Sequence, residues 1–231
     1  MGWVRHAYNS TIGMKWAMGL TGAALFLFVL VHMLGNLQMY LGPDAINTYA
    51  EKLQHMGGLR WVARAGLLTL FALHVASAIR LTLLNRAARP VAYQVVTPQV
   101  SAYAARTMMV GGIVLLTFVA YHLAHFTLGL TDPANFALHD AKGRHDVYAM
   151  VVLGFRQPLV ALLYIVAMVP LVLHLQHGVS SVFQTLGANH PRYNRLLRAA
   201  GPVLGTLIFV GNVSIPLAIL VGLIPYPVAG H

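Results

Sequence analysis

A window of 28 residues without a charged side chain, residues 16–43, constrains this chain more than any other feature. About 20 apolar residues in a helix suffice to cross the hydrocarbon core of a bilayer. The window therefore predicts a transmembrane helix over residues 16–40. His32 stands near the far end of this helix, where an imidazole is costly unless another group satisfies it. For His32 alone, an ordinary interhelical hydrogen bond and a functional site are both open.

The composition supports the same class of protein. Of 231 residues, 58% are hydrophobic and 9% are charged, whereas about a quarter of the residues of a soluble domain are charged. Because the sequence has no cysteine, it can hold no disulfide, thiolate-bound iron–sulfur cluster or covalently attached c-type haem. The net charge of +10 comes from residues near helix ends, which suits anionic lipid headgroups better than nucleic acid. We expect an integral membrane protein with no nucleic-acid partner.

Four more apolar stretches are long enough to span a membrane. We predict helices over residues 61–84, 107–130, 158–183 and 202–224. The first helix is too long for a cleavable signal peptide, so we expect it to remain in the mature chain. A turn and a short amphipathic helix, residues 45–55, should follow it, and residues 132–156 read as a mixed-charge loop. The expected fold is an all-α integral membrane protein with five transmembrane helices in a single domain, residues 1–231.

Lys and Arg predict the orientation. With a cytoplasmic N-terminus, nine of them fall on the inner side and six on the outer side, which agrees with the positive-inside rule. The nine inner residues are Arg5, Lys15, Arg80, Arg86, Arg89, Arg106, Arg192, Arg195 and Arg198. We therefore expect a multi-pass protein whose N-terminus is in the cytoplasm.

Four spans carry a histidine, and the four lie at two depths. A helix rises 1.5 Å per residue, so residue counts convert to depth. His32 and His122 each stand 8 residues before the outer end of their predicted helix (40 − 32 and 130 − 122). His74 and His174 stand 10 and 9 residues before the inner end of theirs (84 − 74 and 183 − 174). The four imidazoles therefore form one pair at each of two levels.

Two imidazole pairs at two levels predict two b-type haems, held in a haem-binding bundle. Filling both axial positions of the iron suits electron transfer, because no open site is left for a substrate. His125 and His177 each follow a candidate ligand by three residues, and depth favours His122 and His174 over them. Small residues near these sites could let a flat macrocycle approach the backbone, although close helix packing explains them equally well; they are Gly19, Gly22, Gly111 and Gly112.

Motifs over nearly the whole chain resemble a known family, the five-helix dihaem cytochrome b subunit of bacterial succinate dehydrogenase and fumarate reductase. They are KWAMGLTG, HMLGNLQMYLGPDAINTYAEKL, LHVASAIRLTLLNRAARPVAY, YHLAHFTLG and HLQHGVSSVFQTLG. In that family each of the first four helices supplies one axial haem ligand. The resemblance implies His32, His74, His122 and His174 as the iron ligands, and the fourth-helix motif fits His174 followed by Gly178.

The resemblance also implies a function. It predicts the membrane-anchor and electron-transfer subunit of succinate:quinone oxidoreductase (complex II), an enzyme of the tricarboxylic acid cycle, or of quinol:fumarate reductase. The partners would be a flavoprotein subunit and an iron–sulfur subunit on the cytoplasmic side of a bacterial inner membrane. The substrate in the bilayer would be a quinone, menaquinone in particular. The chain itself has no cysteine cluster and shows no residue that would process a dicarboxylate.

Glu51, within INTYAEKL, is the candidate for quinone proton transfer. A quinone that exchanges protons with one side of the membrane needs a titratable group near that interface, and the family has an acidic residue in a comparable position. Two alternatives remain open. Glu51 could simply pair with Lys52 or His55, or the quinone site could lie at the inner haem near Lys15 and Arg80.

Two other functions compete with this reading. The dihaem anchor of a hydrogenase or nitrate reductase would also carry paired histidines, but the ligand spacing argues against it. A proton-coupled transporter would be expected to show intramembrane carboxylates or paired broken helices. No Asp or Glu lies within any of the predicted spans.

Overall fold

Five long helices dominate the computed structural model, which describes residues 10–88, 102–188 and 190–226. In chain order the α-helices α1 to α8 are Thr11–Asn36, Pro43–Gln54, Gly58–Ala87, Ala102–His122, Pro133–Phe136, Val147–Arg156, Pro158–Thr185 and Asn194–Leu220. Helix α1 continues as a 3-10 turn, Leu37–Leu41, and α4 as a π turn, Leu123–Thr127. Helices α1, α3, α4, α7 and α8 are long and apolar enough to cross a membrane. The predicted all-α membrane fold with five spanning helices is confirmed.

Local sequence signals set the helix starts. The Ser10 hydroxyl accepts a hydrogen bond from the Gly13 amide at 3.0 Å and so caps α1. Pro43 opens α2 directly after Gly42, whose φ of 95° suits a residue without a side chain. The Asp146 carboxylate caps α6 by accepting from the Ala149 amide at 2.9 Å. These caps fix where the chain leaves each turn.

Several helices begin before their predicted starts, since α1, α3 and α4 begin at Thr11, Gly58 and Ala102 rather than at 16, 61 and 107. Helix α8 begins at Asn194, eight residues before the predicted start at 202, because Pro202 lies inside the helix rather than at its first turn. Arg195 and Arg198 therefore belong to the helix, where long basic side chains can reach a membrane surface. Residues 132–156 are not only a loop, since they contain α5 and α6.

The long helices pack as a layered bundle. Helix α1 contacts α3, α7 and α8, while α4 packs along α7 and α7 packs closely against α8. A Cβ atom on Gly201 of α8 would collide with the backbone oxygen of Gln176 on α7, so only glycine permits this approach. Most outward side chains of the long helices are apolar and exposed, as expected for a lipid-facing surface.

A cap formed by residues 37–57 and 128–157 covers one end of the bundle. Its centre is Asn47 of α2, whose side chain is 1% exposed. The Asn47 amide nitrogen donates to Asp146 at 3.0 Å and to Asp140 at 3.3 Å. Its oxygen accepts from the Tyr148 amide at 3.0 Å. One buried side chain thus joins α2 to the start of α6.

Charged residues close the cap on its solvent side. Arg144 contacts Asp140 at 2.7 Å and Asp44 at 2.9 Å, and Lys142 contacts Asp44 at 2.6 Å. Burial raises the pKa of Asp140, but hydrogen bonds from Arg144 and Asn47 outweigh it and lower that pKa to about 2. Asp140 is therefore ionised at neutral pH and holds its donors in place.

Replacing Asn47 with alanine should loosen the cap. The substitution leaves the Tyr148 amide without its acceptor. It also removes the hydrogen bonds that the Asn47 side chain donates to Asp140 and Asp146. A buried group that loses its partner costs about 1–3 kcal/mol, so the free energy of unfolding should fall by that amount. Hydrogen exchange in α2 and α6 measures the effect, with exposed Gln54→Ala on the same helix as control. Equal protection in both variants would contradict a central role for Asn47.

Candidate functional site

The structure brings the four histidines of interest together in two pairs. The rings of His32 on α1 and His122 on α4 have centroids 5.8 Å apart and planes at 82°. The rings of His74 on α3 and His174 on α7 have centroids 6.1 Å apart and planes at 67°. We call the first the cap-side pair, since it lies toward the cap, and the second the far pair.

These separations suit two ligands of one iron. A metal–imidazole nitrogen bond is about 2.0–2.1 Å long, and the ring centre lies roughly 1 Å beyond the bound nitrogen. Two imidazoles on opposite sides of an iron therefore have centroids about 6 Å apart. Within the described residues, no group of three or more His, Cys, Asp or Glu side chains could hold a metal ion. A haem needs only two protein ligands, because its macrocycle supplies the other four nitrogens.

The far pair fits a haem well. Nδ1 of His74 lies 3.2 Å from the carbonyl oxygen of Met18 and 3.3 Å from the Thr21 hydroxyl. A carbonyl can only accept, so Nδ1 carries the proton and Nε2 keeps its lone pair for a metal. Metal-binding histidines commonly donate their other nitrogen in this way. On the opposite helix, Nδ1 of His174 is buried without a hydrogen-bond partner.

The cap-side pair fits less completely. Nε2 of His32 lies 3.1 Å from the side-chain amide nitrogen of Asn36, which can only donate. The lone pair of Nε2 is therefore already used, and iron binding through this nitrogen requires Asn36 to give up its bond. Phe28 stacks on His32 with ring centroids 5.6 Å apart. His122 has a buried Nδ1 without a partner, which is the kind of polar atom that a missing donor or ion explains.

The four glycines have different surroundings. A Cβ atom on Gly22 would lie 3.1 Å from Cε1 of His74, so this glycine makes room for the imidazole. Gly19 instead faces Thr185, as in ordinary helix packing. Gly111 lines an apolar cavity of about 270 Å³ between α4 and α7, which reaches His174. A Cβ atom on Gly112 would meet nothing within 4 Å.

Glu51 lies on α2, within the cap. Its side chain is half-buried, and no salt bridge within the described residues joins it to Lys52 or His55. Two residues earlier, the Tyr49 ring packs against Gly35, which follows His32 by three positions. Helix α2 is thereby held at the end of α1 nearest the cap-side pair. The role of Glu51 in proton transfer stays a prediction.

The remaining histidines separate into distinct environments. Six histidines lie in loops or at the termini of the sequence, where we expect exposure to solvent: His6, His55, His139, His145, His190 and His231. His55, His139 and His190 are exposed. His145 is half-buried beside Phe136, with ring centroids 5.0 Å apart, so the expectation that it is solvent-exposed was wrong. His6 and His231 lie outside the described residues.

Two partners of the candidate ligands were missed by sequence reasoning. Neither Asn36, which bonds His32, nor Tyr164, whose ring centroid lies 5.9 Å from that of His122, was singled out. The sequence did contain a signal for both, since each is a polar side chain near or within a predicted span.

Comparisons with known proteins identify no relative: no family model, curated protein or solved structure matches this chain.

Gly22→Ala should weaken cofactor binding at the far pair. The added methyl group presses on the His74 ring, which cannot retreat without losing its hydrogen bond to Met18. Loss of one net hydrogen bond corresponds to an affinity change of about 2- to 10-fold. Haem titration followed by the absorption of the reduced b-type haem measures it, and Gly112→Ala is the matched control. Equal haem affinity in both variants would show that Gly22 does not position His74.

Proposed function

We propose that this chain is the membrane-anchor and electron-transfer subunit of a succinate:quinone oxidoreductase or quinol:fumarate reductase. The observation that carries the proposal is the arrangement of four imidazoles in two pairs, each with the ring separation that one iron requires. The motifs described above support the choice of this enzyme class. In this proposal the chain crosses a bacterial inner membrane with its N-terminus in the cytoplasm and the cap on the outer side.

Each pair would hold one b-type haem. His74 offers Nε2 because its Nδ1 proton is bound to the Met18 carbonyl, and His174 faces it from α7. His32 and His122 would hold the second haem once Asn36 has turned away from His32. When bound, a bis-imidazole haem supplies a one-electron carrier without an open coordination site. The chain's own task is to fix two such groups at different depths.

A protein with only these features needs partners to do chemistry. The chain has no cysteine to bind an iron–sulfur cluster. We therefore infer that electrons pass between this subunit and a flavoprotein and iron–sulfur pair, and that (mena)quinone reacts in the bilayer. The docking face would include residues 184–198, which carry Arg192, Arg195 and Arg198. The other parts of this face are the N-terminal segment and residues 85–106, of which residues 1–9 and 89–101 lie outside the described residues.

Single substitutions should reveal the pairing of the four ligands. His32→Ala and His122→Ala should each remove the same haem. His74→Ala and His174→Ala should each remove the other haem. The reason is that a haem which has lost one of its two protein ligands is no longer retained. Low-temperature spectra of reduced membranes and haem content per chain distinguish the two sites.

His55→Ala, at an exposed position in the cap, is the control and should retain both haems. Loss of the same haem from His32→Ala and His174→Ala, with the other intact, would show that the pairing is wrong. A wild-type chain without b-type haem bands, or one that copurifies with no flavoprotein and no iron–sulfur subunit, would contradict the proposed function.

Glu51→Gln should lower quinone-linked turnover at least several-fold while haem content stays unchanged. The substitution keeps the size of the side chain but removes the carboxylate that would exchange protons with the outer side. Succinate-dependent quinone reduction or quinol oxidation measures turnover, and electron transfer to a soluble dye checks the partner subunits. Lys52→Gln is the control on the same helix. Unchanged quinone turnover in Glu51→Gln would remove Glu51 from the mechanism and move the search to the inner site.

A further inference from the structure

His125 and Tyr164 form a buried polar pair that the proposed ligand set does not use. Nδ1 of His125 and the hydroxyl of Tyr164 are hydrogen-bonded at 3.0 Å. The two residues are only 4% and 7% exposed. Phe126 stacks on the His125 ring at 3.9 Å between centroids, and Phe155 meets the edge of the Tyr164 ring at 4.9 Å. The pair is therefore enclosed by aromatic rings and held in one arrangement.

The backbone that carries His125 is not an ordinary α-helix. The amide of Leu128 donates to the carbonyl of Leu123, five residues earlier, at 2.9 Å. This is the bonding of a π turn, which accommodates an extra residue and frequently occurs at functional sites. In a regular helix His122 and His125 would lie within about 60° of each other around the axis, because three residues turn the chain by roughly 300°. The wider turn changes this relation and sends the two imidazoles to different neighbours.

The equivalent sequence on α7 provides a comparison. His174 and His177 also stand three residues apart, but α7 remains α-helical through both. His177 is only half-buried, and its Nε2 bonds the hydroxyl of Ser181 one turn further along the same helix, at 3.2 Å. The identical spacing therefore has two outcomes. Of these two second histidines, His125 is hydrogen-bonded to another helix and His177 to its own.

Aromatic contacts connect the pair to His122. The Tyr164 ring centroid lies 5.9 Å from the His122 centroid and 5.8 Å from the His125 centroid. Phe118, one turn before His122, contacts both His122 at 6.0 Å and Tyr164 at 5.1 Å. Tyr164 therefore contacts the His122 ring directly and is also connected to it through Phe118.

We propose that the His125–Tyr164 hydrogen bond is a positioning device that holds the π turn and thereby aims His122 at His32. This inference rests on the proposed function, because it assigns His122 as the ligand and His125 as a residue that acts through it. Gly154 of α6 supports the arrangement, since a Cβ atom there would lie 3.2 Å from Cε1 of His125. The cap helix thus closes the cluster from a third side.

Removing one hydroxyl group tests the proposal. Tyr164→Phe keeps the ring but loses the hydrogen bond, so the affinity of the cap-side site for haem should fall by about 2- to 10-fold. The electron paramagnetic resonance signal of that haem, which reports the orientation of the axial imidazoles, should shift, while the signal of the far haem stays unchanged. Tyr121→Phe is the matched control. The Tyr121 ring centroid lies 5.6 Å from that of His125 and 5.9 Å from that of Tyr164.

Two further variants separate positioning from general stability and from ligation. His125→Asn keeps a hydrogen-bonding group near the Nδ1 position and should retain most of the wild-type signal of the cap-side haem. His125→Leu has no such group and should shift that signal as Tyr164→Phe does. Two haems with wild-type signals in Tyr164→Phe would overturn the inference and leave the proposed function standing. Complete loss of the cap-side haem in His125→Asn, with Tyr164→Phe unchanged, would overturn it in favour of His125 as the ligand. A wild-type chain that binds no haem would overturn both.

Discussion

The cost of an imidazole in an apolar bundle is the constraint on which the rest of this structure depends. Hydrocarbon offers neither donors nor acceptors, so each intramembrane histidine needs a partner in the protein or in a bound group. The buried Nδ1 atoms of His122 and His174 have no hydrogen-bond partner among the described residues. Here His74 bonds the Met18 carbonyl, His32 bonds Asn36, and His125 bonds Tyr164. The candidate ligands in addition face one another in pairs. The helices are arranged so that these polar groups meet, and the remaining surface is left to lipid.

The sequence predicts the spans well because charge is so costly at membrane depth. Long apolar stretches with few or no charged side chains located all five long helices, and counting residues from their ends indicated which histidines share a level. The boundaries of α8 were harder, since Pro202 looks like a helix start yet lies two turns inside the helix. A proline near a helix end can belong to either arrangement, and packing against α7 decides between them.

The parts that sequence reasoning missed depend on contacts between distant segments. Nothing local to residues 123–127 predicts a π turn, because His125 and Tyr164 are 39 positions apart. The burial of Asn47 likewise requires Asp140 and Asp146, which lie 93 and 99 positions later. Periodicity describes a helix in isolation, whereas the structure of residues 132–156 depends on contacts with α2, which lies far earlier in the chain.

The long-range closure of the cap has a consequence for biogenesis. Asn47 can meet Asp146 only after the chain between them has been synthesised, including two complete spans, and after residues 140–146 have reached the same side of the membrane. Until then only residues 37–57, including Tyr49 against Gly35, can cover the end of α1 that carries His32. Insertion of the third span must therefore precede closure of the cap over the end of α1 that carries His32.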